Sequence, residues 1–423
     1  MEAVEIEHGK RREWAEDKRT PKPQTPSRER RSAARVWTPS KPMAGLYLHI
    51  PFCTQRCIYC DFYFVTTSRD FGSFVRALET EIEAYGSEYG NREPIETIYF
   101  GGGTPSLLAV EDVARLMQAM HRHFDCSAVE EVTFEVNPEN ATLDYLHGLR
   151  GIGVTRLSLG VQSFFDEDLR FMTRVHGAAE AERAIDTIRR VGFDSFSIDL
   201  IFGVPEQPAE HWMANLEKAA RLNVPHLSTY GLTVEERTVL ANQVERGLVK
   251  PMPDEAMRER FLDTMDFLRH HGYEHYEVSS FAQPGAESRH NSLYWRHGNY
   301  LGFGPSAHSF WRQTRSFAGR WANVRNLKRY EALLRQHERP LEMQDRLGAD
   351  ELADEYLLLR LRTDAGLDLD TYETDYGVDL LTEKIDVLAD LEAAGLVEVR
   401  NGLVRLTDDG VLVCDAVTAR LLR

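Results

Sequence analysis

From Gly45 onward, short apolar runs alternate with amphipathic stretches. Leu46–Ile50, Thr97–Phe100, Val132–Val136, Arg156–Val161, Ser197–Phe202 and Leu227–Leu232 read as strands. Between them, Phe74–Tyr85, Val110–Phe124, Ala178–Val191 and His211–Leu222 carry the 3.6-residue period of helices with one buried face. Strands and helices in this order predict a parallel sheet with right-handed crossovers, of the α/β class. Six such units predict an incomplete (βα)6 barrel, whose chemistry gathers where strands end and loops begin. The pattern changes after about residue 340. Helices are expected at Glu351–Leu361 and Glu383–Ala394, followed by two short strands around Asn401-Gly402, a hairpin signal. The expected organisation is an N-terminal extension over 1–42, the partial barrel over 43–285, a connection over 286–340, and a small winged-helix-like domain over 341–423.

Residues 1–42 hold 11 Lys/Arg, 7 Asp/Glu and five prolines with few apolar residues. Such a segment buries too little surface to offset its ordering entropy and is expected to be disordered. Met43, just before the first strand, is an alternative start, and a basic arm for a partner is the other reading of the tail. The net charge of −17 argues against broad nucleic-acid binding. Residues 341–423 carry 8 Lys/Arg against 20 Asp/Glu, so the winged-helix-like segment would repel DNA and reads as a packing module or lid. Arg outnumbers Lys 42 to 8, a bias that assigns no function. There is no 18-residue apolar run and no secretory leader, and three of the five cysteines are clustered. These features together predict a cytoplasmic protein in a reducing compartment.

Those three cysteines are Cys53, Cys57 and Cys60, spaced CxxxCxxC on a loop that leaves the first strand. A [4Fe–4S] cube usually takes four thiolates, so a three-Cys loop leaves one iron open for chemistry. A zinc site would call for a second knuckle, and a disulfide would strand one of the three thiols. Cys126 and Cys414 lie far away with no ligand-like spacing. The loop resembles that of the radical S-adenosylmethionine (SAM) superfamily, which implies that SAM's amino and carboxylate groups bind the open iron.

The strand ends supply further candidates. Gly101-Gly102-Gly103-Thr104-Pro105 follows the second strand, where missing side chains let backbone approach a ligand and offer its N–H groups. Glu135 ends the third strand, Gln162 the fourth, and Asp199 lies in the fifth; Arg174 follows in Met-Thr-Arg-Val-His-Gly. Glu135 can accept from a ribose or ammonium, Gln162 and Asp199 can contact ribose hydroxyls, and Arg174 can pair with a carboxylate. Each residue alone is as readily a structural hydrogen-bonder; their joint occurrence in barrel order carries the argument. The superfamily resemblance implies a SAM site of Tyr47, Tyr59, Gly102, Gly103, Thr104, Glu135, Gln162, Arg174 and Asp199, with the glycine loop's carbonyls on the SAM amino group.

Tyr47 through Asp61, GGGTP, LGVQSF and DLIFGVP together resemble the oxygen-independent coproporphyrinogen III oxidase family across roughly residues 44–420. In that family the decarboxylating oxidases have a further Cys two positions past the last cluster Cys, where this chain has Phe62. Cys60-Asp61-Phe62 instead matches the heme-chaperone (HemW) branch, as does His290-Asn291-Ser-Leu-Tyr294-Trp295, an HNxxYW motif. Tyr300 through His308 is also family-like. The resemblance implies a [4Fe–4S] cluster, SAM and heme as cofactors, with His290 offering an imidazole to heme iron and Tyr294 and Trp295 giving flat surface. From the residues alone, a core role for His290 and Trp295 is equally open, and His49 either orients the cluster loop or packs beneath it. Recipient hemoproteins, membrane-bound respiratory cytochromes among them, an electron donor for the cluster and a homodimer belong to the same expectation. No catalytic residue is assigned. The competing expectation is SAM-dependent decarboxylation of coproporphyrinogen III.

Overall fold

A computed structural model describes residues 43–66 and 70–423; the expected extension over 1–42 lies outside the described residues. Six strands stand side by side and parallel: β1 Ala44–Ile50, β2 Ile95–Gly102, β3 Glu131–Val136, β4 Arg156–Gln162, β5 Ser195–Phe202 and β6 His226–Gly231. They read as apolar runs because helices cover their outer face, so that β4 is buried throughout and β1 everywhere except Tyr47. The helices Phe71–Tyr89, Val110–His123, Ala178–Val191 and Ala209–Arg221 lie where the periodicity predicts. Asp70 begins the first by accepting the Ser73 N–H at 3.0 Å, and Gly192, at φ +89°, closes the third. Leu46, Leu48, Phe100, Phe134, Leu157 and Ile198 from the strands pack with Phe74, Ile82, Leu116, Ile185 and Trp212 from the helices in one core.

The sheet does not stop at six strands. β7 Glu274–Glu277 and β8 Ser280–Ala282 form a hairpin that adds antiparallel to β6. On the other side β9 Asn299–Phe303 runs parallel to β1, and β10 His308–Thr314, β11 Phe317–Asn323 and β12 Leu341–Leu347 follow antiparallel. The result is a 12-stranded sheet in the order β12-β11-β10-β9-β1-β2-β3-β4-β5-β6-β8-β7. The stretch 286–340, expected as a connection, therefore contains the helix Arg289–Trp295 and three sheet strands. The expected boundary at 341 falls on the first residue of β12, whose partner is β11.

Beyond β12 a second core forms from Leu357, Leu361, Leu367, Tyr372, Leu391, Val404 and Leu421. It unites the helices Ala349–Leu361 and Ile385–Ala393 with a small sheet of β13 Leu367–Asp368, β14 Val397–Arg400 and β15 Leu403–Leu406. The β14–β15 hairpin turns on Asn401 and Gly402 at φ +53° and +76°, the left-handed pair that a two-residue hairpin requires. This domain lies along β7, where the Val278 N–H donates to the Arg362 carbonyl (2.9 Å) and the Asp364 N–H to that of Tyr276 (3.1 Å). Among the described residues no helix is long and apolar enough to cross a membrane.

Candidate functional site

The loop after β1 is shaped by backbone hydrogen bonds: Cys53 N–H donates to Val65 O (3.1 Å), Val65 N–H to Pro51 O (2.6 Å) and Cys60 N–H to Cys57 O (3.3 Å). His49 ties the strand to this loop, its Nε2 lying 2.8 Å from the Tyr63 carbonyl, so it orients the loop. Cys53, Cys57 and Cys60 are free thiols, each partly exposed. Thr104 Oγ1 donates to Cys53 Sγ at 3.6 Å, and the Arg174 guanidinium to Cys57 Sγ at 3.5 Å. Burial pushes the Cys53 thiol up and that of Cys60 to about 11, so the bare loop favours thiols, and a bound cation is what would hold thiolates there.

The three cysteines open into a cavity of about 680 Å³ on the sheet's concave face. Tyr59, Gly102, Gly103, Thr104, Glu135, Gln162, Arg174 and Asp199 all line it, so the structure brings together every SAM-site candidate except Tyr47. Glu135 accepts the Tyr99 hydroxyl at 2.8 Å and the Gly102 N–H at 3.1 Å. Burial raises its carboxyl to about 7, and burial likewise raises Asp199 to about 6. Arg174 donates to Asn137 Oδ1 (2.8 Å) and the Gly160 carbonyl (3.1 Å), which fixes it beside Cys57. Burial opposes its charge, but Tyr59, Cys57 and Glu139 more than offset this and hold it protonated. Gln162 sits at φ +66°, outside the extended region of its strand.

The N–H groups of the two cavity-lining glycines are already used. The Gly102 N–H is taken by Glu135 and the Gly103 N–H by the Ile50 carbonyl at 2.8 Å, so neither is left to offer a ligand. Their necessity is steric: a Cβ on Gly103 would lie 2.7 Å from the Phe52 carbonyl and 3.1 Å from Cys53 Sγ. Tyr47 needs a second correction. Its hydroxyl bonds His49 Nδ1 at 3.2 Å, and its side chain lines a neighbouring cavity of about 500 Å³.

The HNxxYW segment is the third correction. His290 is 1 % exposed, with Nδ1 2.7 Å from Thr97 Oγ1 and Nε2 2.8 Å from the Tyr294 hydroxyl. Both ring nitrogens are spent within the core, and the backbone N–H groups of Arg289 and His290 are both held by Glu131. As placed, this imidazole has no nitrogen free for a heme iron. Tyr294 lines the second cavity, whereas Trp295 lines neither.

Sequence reasoning missed Tyr99, Arg156, Ser158, Ser228, Tyr230 and Asn291, which also line the larger cavity. The signal was present: Arg156, Ser158, Gly160 and Gln162 stand at alternate positions of β4, the period that places side chains on one sheet face. The donor set fits a cluster and a cationic ligand. The three thiols line the same cavity as two carboxylates that are costly to ionise unless a positive group meets them, and SAM carries a sulfonium and an ammonium.

This fold and this site define a radical SAM protein, and comparison with known proteins agrees. The chain matches the family models of the radical SAM superfamily over residues 47–219 and of the HemN C-terminal domain over 347–413. It is 34 % identical to the heme chaperone HemW of Bacillus subtilis over 383 residues, 90 % of this chain and 99 % of the relative. Against the heme chaperone HemW of Mycobacterium tuberculosis the figures are 35 % over 388 residues, covering 91 % and 96 %. Among solved structures it resembles the Escherichia coli coproporphyrinogen III oxidase HemN, a radical SAM enzyme, with a TM-score of 0.77, 26 % identity and 90 % coverage of each chain. The chain belongs to the HemW family, whose radical SAM membership implies a [4Fe–4S] cluster and SAM.

Proposed function

We propose that this protein is a heme chaperone that carries a [4Fe–4S] cluster on Cys53, Cys57 and Cys60, binds SAM in the larger cavity, retains heme and passes it to hemoproteins. Membrane-bound respiratory cytochromes are the expected recipients, and the proposal includes a cytoplasmic location, an external electron donor and a homodimer. The observation that carries it is the near full-length similarity to relatives named heme chaperones, and Phe62 in place of the oxidase-type cysteine supports it. When bound, the cluster supplies a redox centre with one iron open to SAM. The chain's own residues do the remaining work. Glu135 and Asp199 meet the cationic and hydroxyl groups of SAM, and Arg174 offsets negative charge at Cys57. Tyr99 and the Gly102 N–H hold Glu135 so that its carboxylate faces the ligand in one orientation.

A second reading, coproporphyrinogen III oxidase, is favoured by the likeness to HemN. Anaerobic reconstitution followed by parallel assays of heme retention and coproporphyrinogen III decarboxylation separates the two. Retention without decarboxylation is expected; efficient SAM-dependent protoporphyrinogen IX formation would overturn the chaperone reading.

A further inference from the structure

The second cavity lies on the same concave face, between β1 and the antiparallel wing β9–β11, and the helix Ala349–Leu361 contributes Leu359 to its lining. At about 500 Å³ it is within the range of small-molecule sites. Its walls are aromatic: Tyr47, Tyr63, Tyr294, Tyr300 and Phe310 all face it. Two basic groups stand with them. Arg320 is already paired with Glu355, at 2.5 and 2.8 Å. Arg325, by contrast, is exposed, and its side chain reaches the Asp61 carbonyl at 3.2 Å but no carboxylate among the described residues.

His308 completes the set. It is the first residue of β10, set at the cavity by the turn through Gly304 (φ +98°) and Ser306 (φ +67°). Its side chain is exposed and has no hydrogen-bond partner among the described residues, the opposite of His290. Partial shielding from water by the cavity wall, together with the charges of Arg320 and Arg325, lowers its pKa and so favours the neutral ring, the form that binds metals. An unpartnered imidazole, a guanidinium with no carboxylate partner among the described residues and flat aromatic walls together describe a ligand that is planar, metal-bearing and carboxylated at its edge.

We propose that this cavity, with His308 as metal ligand and Arg325 as carboxylate partner, is the heme site. The inference rests on the heme-chaperone reading and locates its cargo away from His290. Asp61 and Phe62 line this cavity as well as the larger one, so the heme would lie against the cluster loop without occupying the SAM site.

The test is a hemin titration of anaerobically reconstituted full-length protein, followed by the Soret band. His308→Ala is expected to weaken binding by roughly tenfold or more and to shift the Soret band, with added imidazole moving the band back. Arg325→Glu should weaken binding without moving the band, because it changes a carboxylate contact and not the iron's ligand. Both side chains are exposed, so neither variant endangers the fold, and circular dichroism checks this. His290→Ala should keep the wild-type band position. Wild-type hemin binding with an unchanged affinity and band in His308→Ala overturns the placement while leaving the chaperone reading standing. Failure of the wild type to bind hemin overturns both.

Discussion

The two cavities share Asp61 and Phe62 yet are made of opposite materials. The larger one lies over parallel strands and is lined by Glu135, Asp199, Arg156 and Arg174 beside three thiols, a charged chamber suited to a small, cationic, polar ligand. The smaller one lies on the antiparallel wing and offers tyrosines, phenylalanines, two arginines and one unpartnered histidine. The difference teaches that one sheet can host two chemistries on a single face when its halves are assembled by different rules. Parallel strands deliver strand-end residues from consecutive βα units, whereas the wing delivers hairpin side chains.

The largest expected effect breaks the charged chamber outright. Changing Cys53, Cys57 and Cys60 together to Ala should take iron from about four per chain to near zero. Cys126→Ala should leave it intact. Iron and sulfide assays decide, and an undiminished cluster in the triple variant would remove the assignment.

Next, Glu135→Ala or Asp199→Ala should weaken SAM's perturbation of the reduced cluster's EPR spectrum by about 10- to 100-fold in SAM concentration, the scale of a lost charge-assisted hydrogen bond. Equal titrations in wild type and both variants would remove these carboxylates from the ligand's surroundings.

The same carboxylates give the ligand-free chain a pH signature. Their pKa values are raised on folding, Glu135 from 4.5 to about 7 and Asp199 from 3.8 to about 6. A raised carboxylate contributes stability that is complete below the unfolded value and is lost as pH rises through the folded value. Between pH 4.5 and 7.5 the wild type should therefore lose about 5 kcal/mol relative to Glu135→Gln/Asp199→Asn. Urea unfolding at several pH values measures this, and a wild type that gains on the double variant over that range contradicts it.

The smallest effect sharpens the contrast between the histidines. His290→Ala leaves Thr97 and Tyr294 without their partner and should lower stability by about 1–3 kcal/mol in urea unfolding. His308→Ala should change it by less than about 0.5 kcal/mol, as exposed, unpartnered positions do.

The parallel half was legible in the sequence because helices cover the outer face of its strands, so each short strand carries an apolar set and alternates with a helical period. The cysteines were legible because their spacing is local. The wing was not. β12 reads Leu-Glu-Met-Gln-Asp-Arg-Leu and is exposed along its middle, so it shows no apolar period. β9 finds its place only by pairing with β1 from the far end of the chain, a choice that no local pattern records. Tyr47 and His290 stand away from the larger cavity for one reason. Both lie in register with a motif, but side-chain direction is set by tertiary packing: Tyr47 turns towards His49, and His290 towards Thr97.

A sheet that never closes into a barrel has two edges, and each is a template for unwanted association. This chain guards them differently. β7 is capped by the Arg362–Asp364 stretch of the C-terminal domain, whose backbone bonds to Val278 and Tyr276 occupy groups that an intruding strand would use. Among the described residues β12 has no such cap, but Glu342, Asp345 and Arg346 stand exposed along it and make a bare pairing surface inhospitable to another strand. The acidic C-terminal domain thus acts as an aggregation guard as well as a wall of the second cavity, and a chain truncated before it would expose a naked strand to its neighbours.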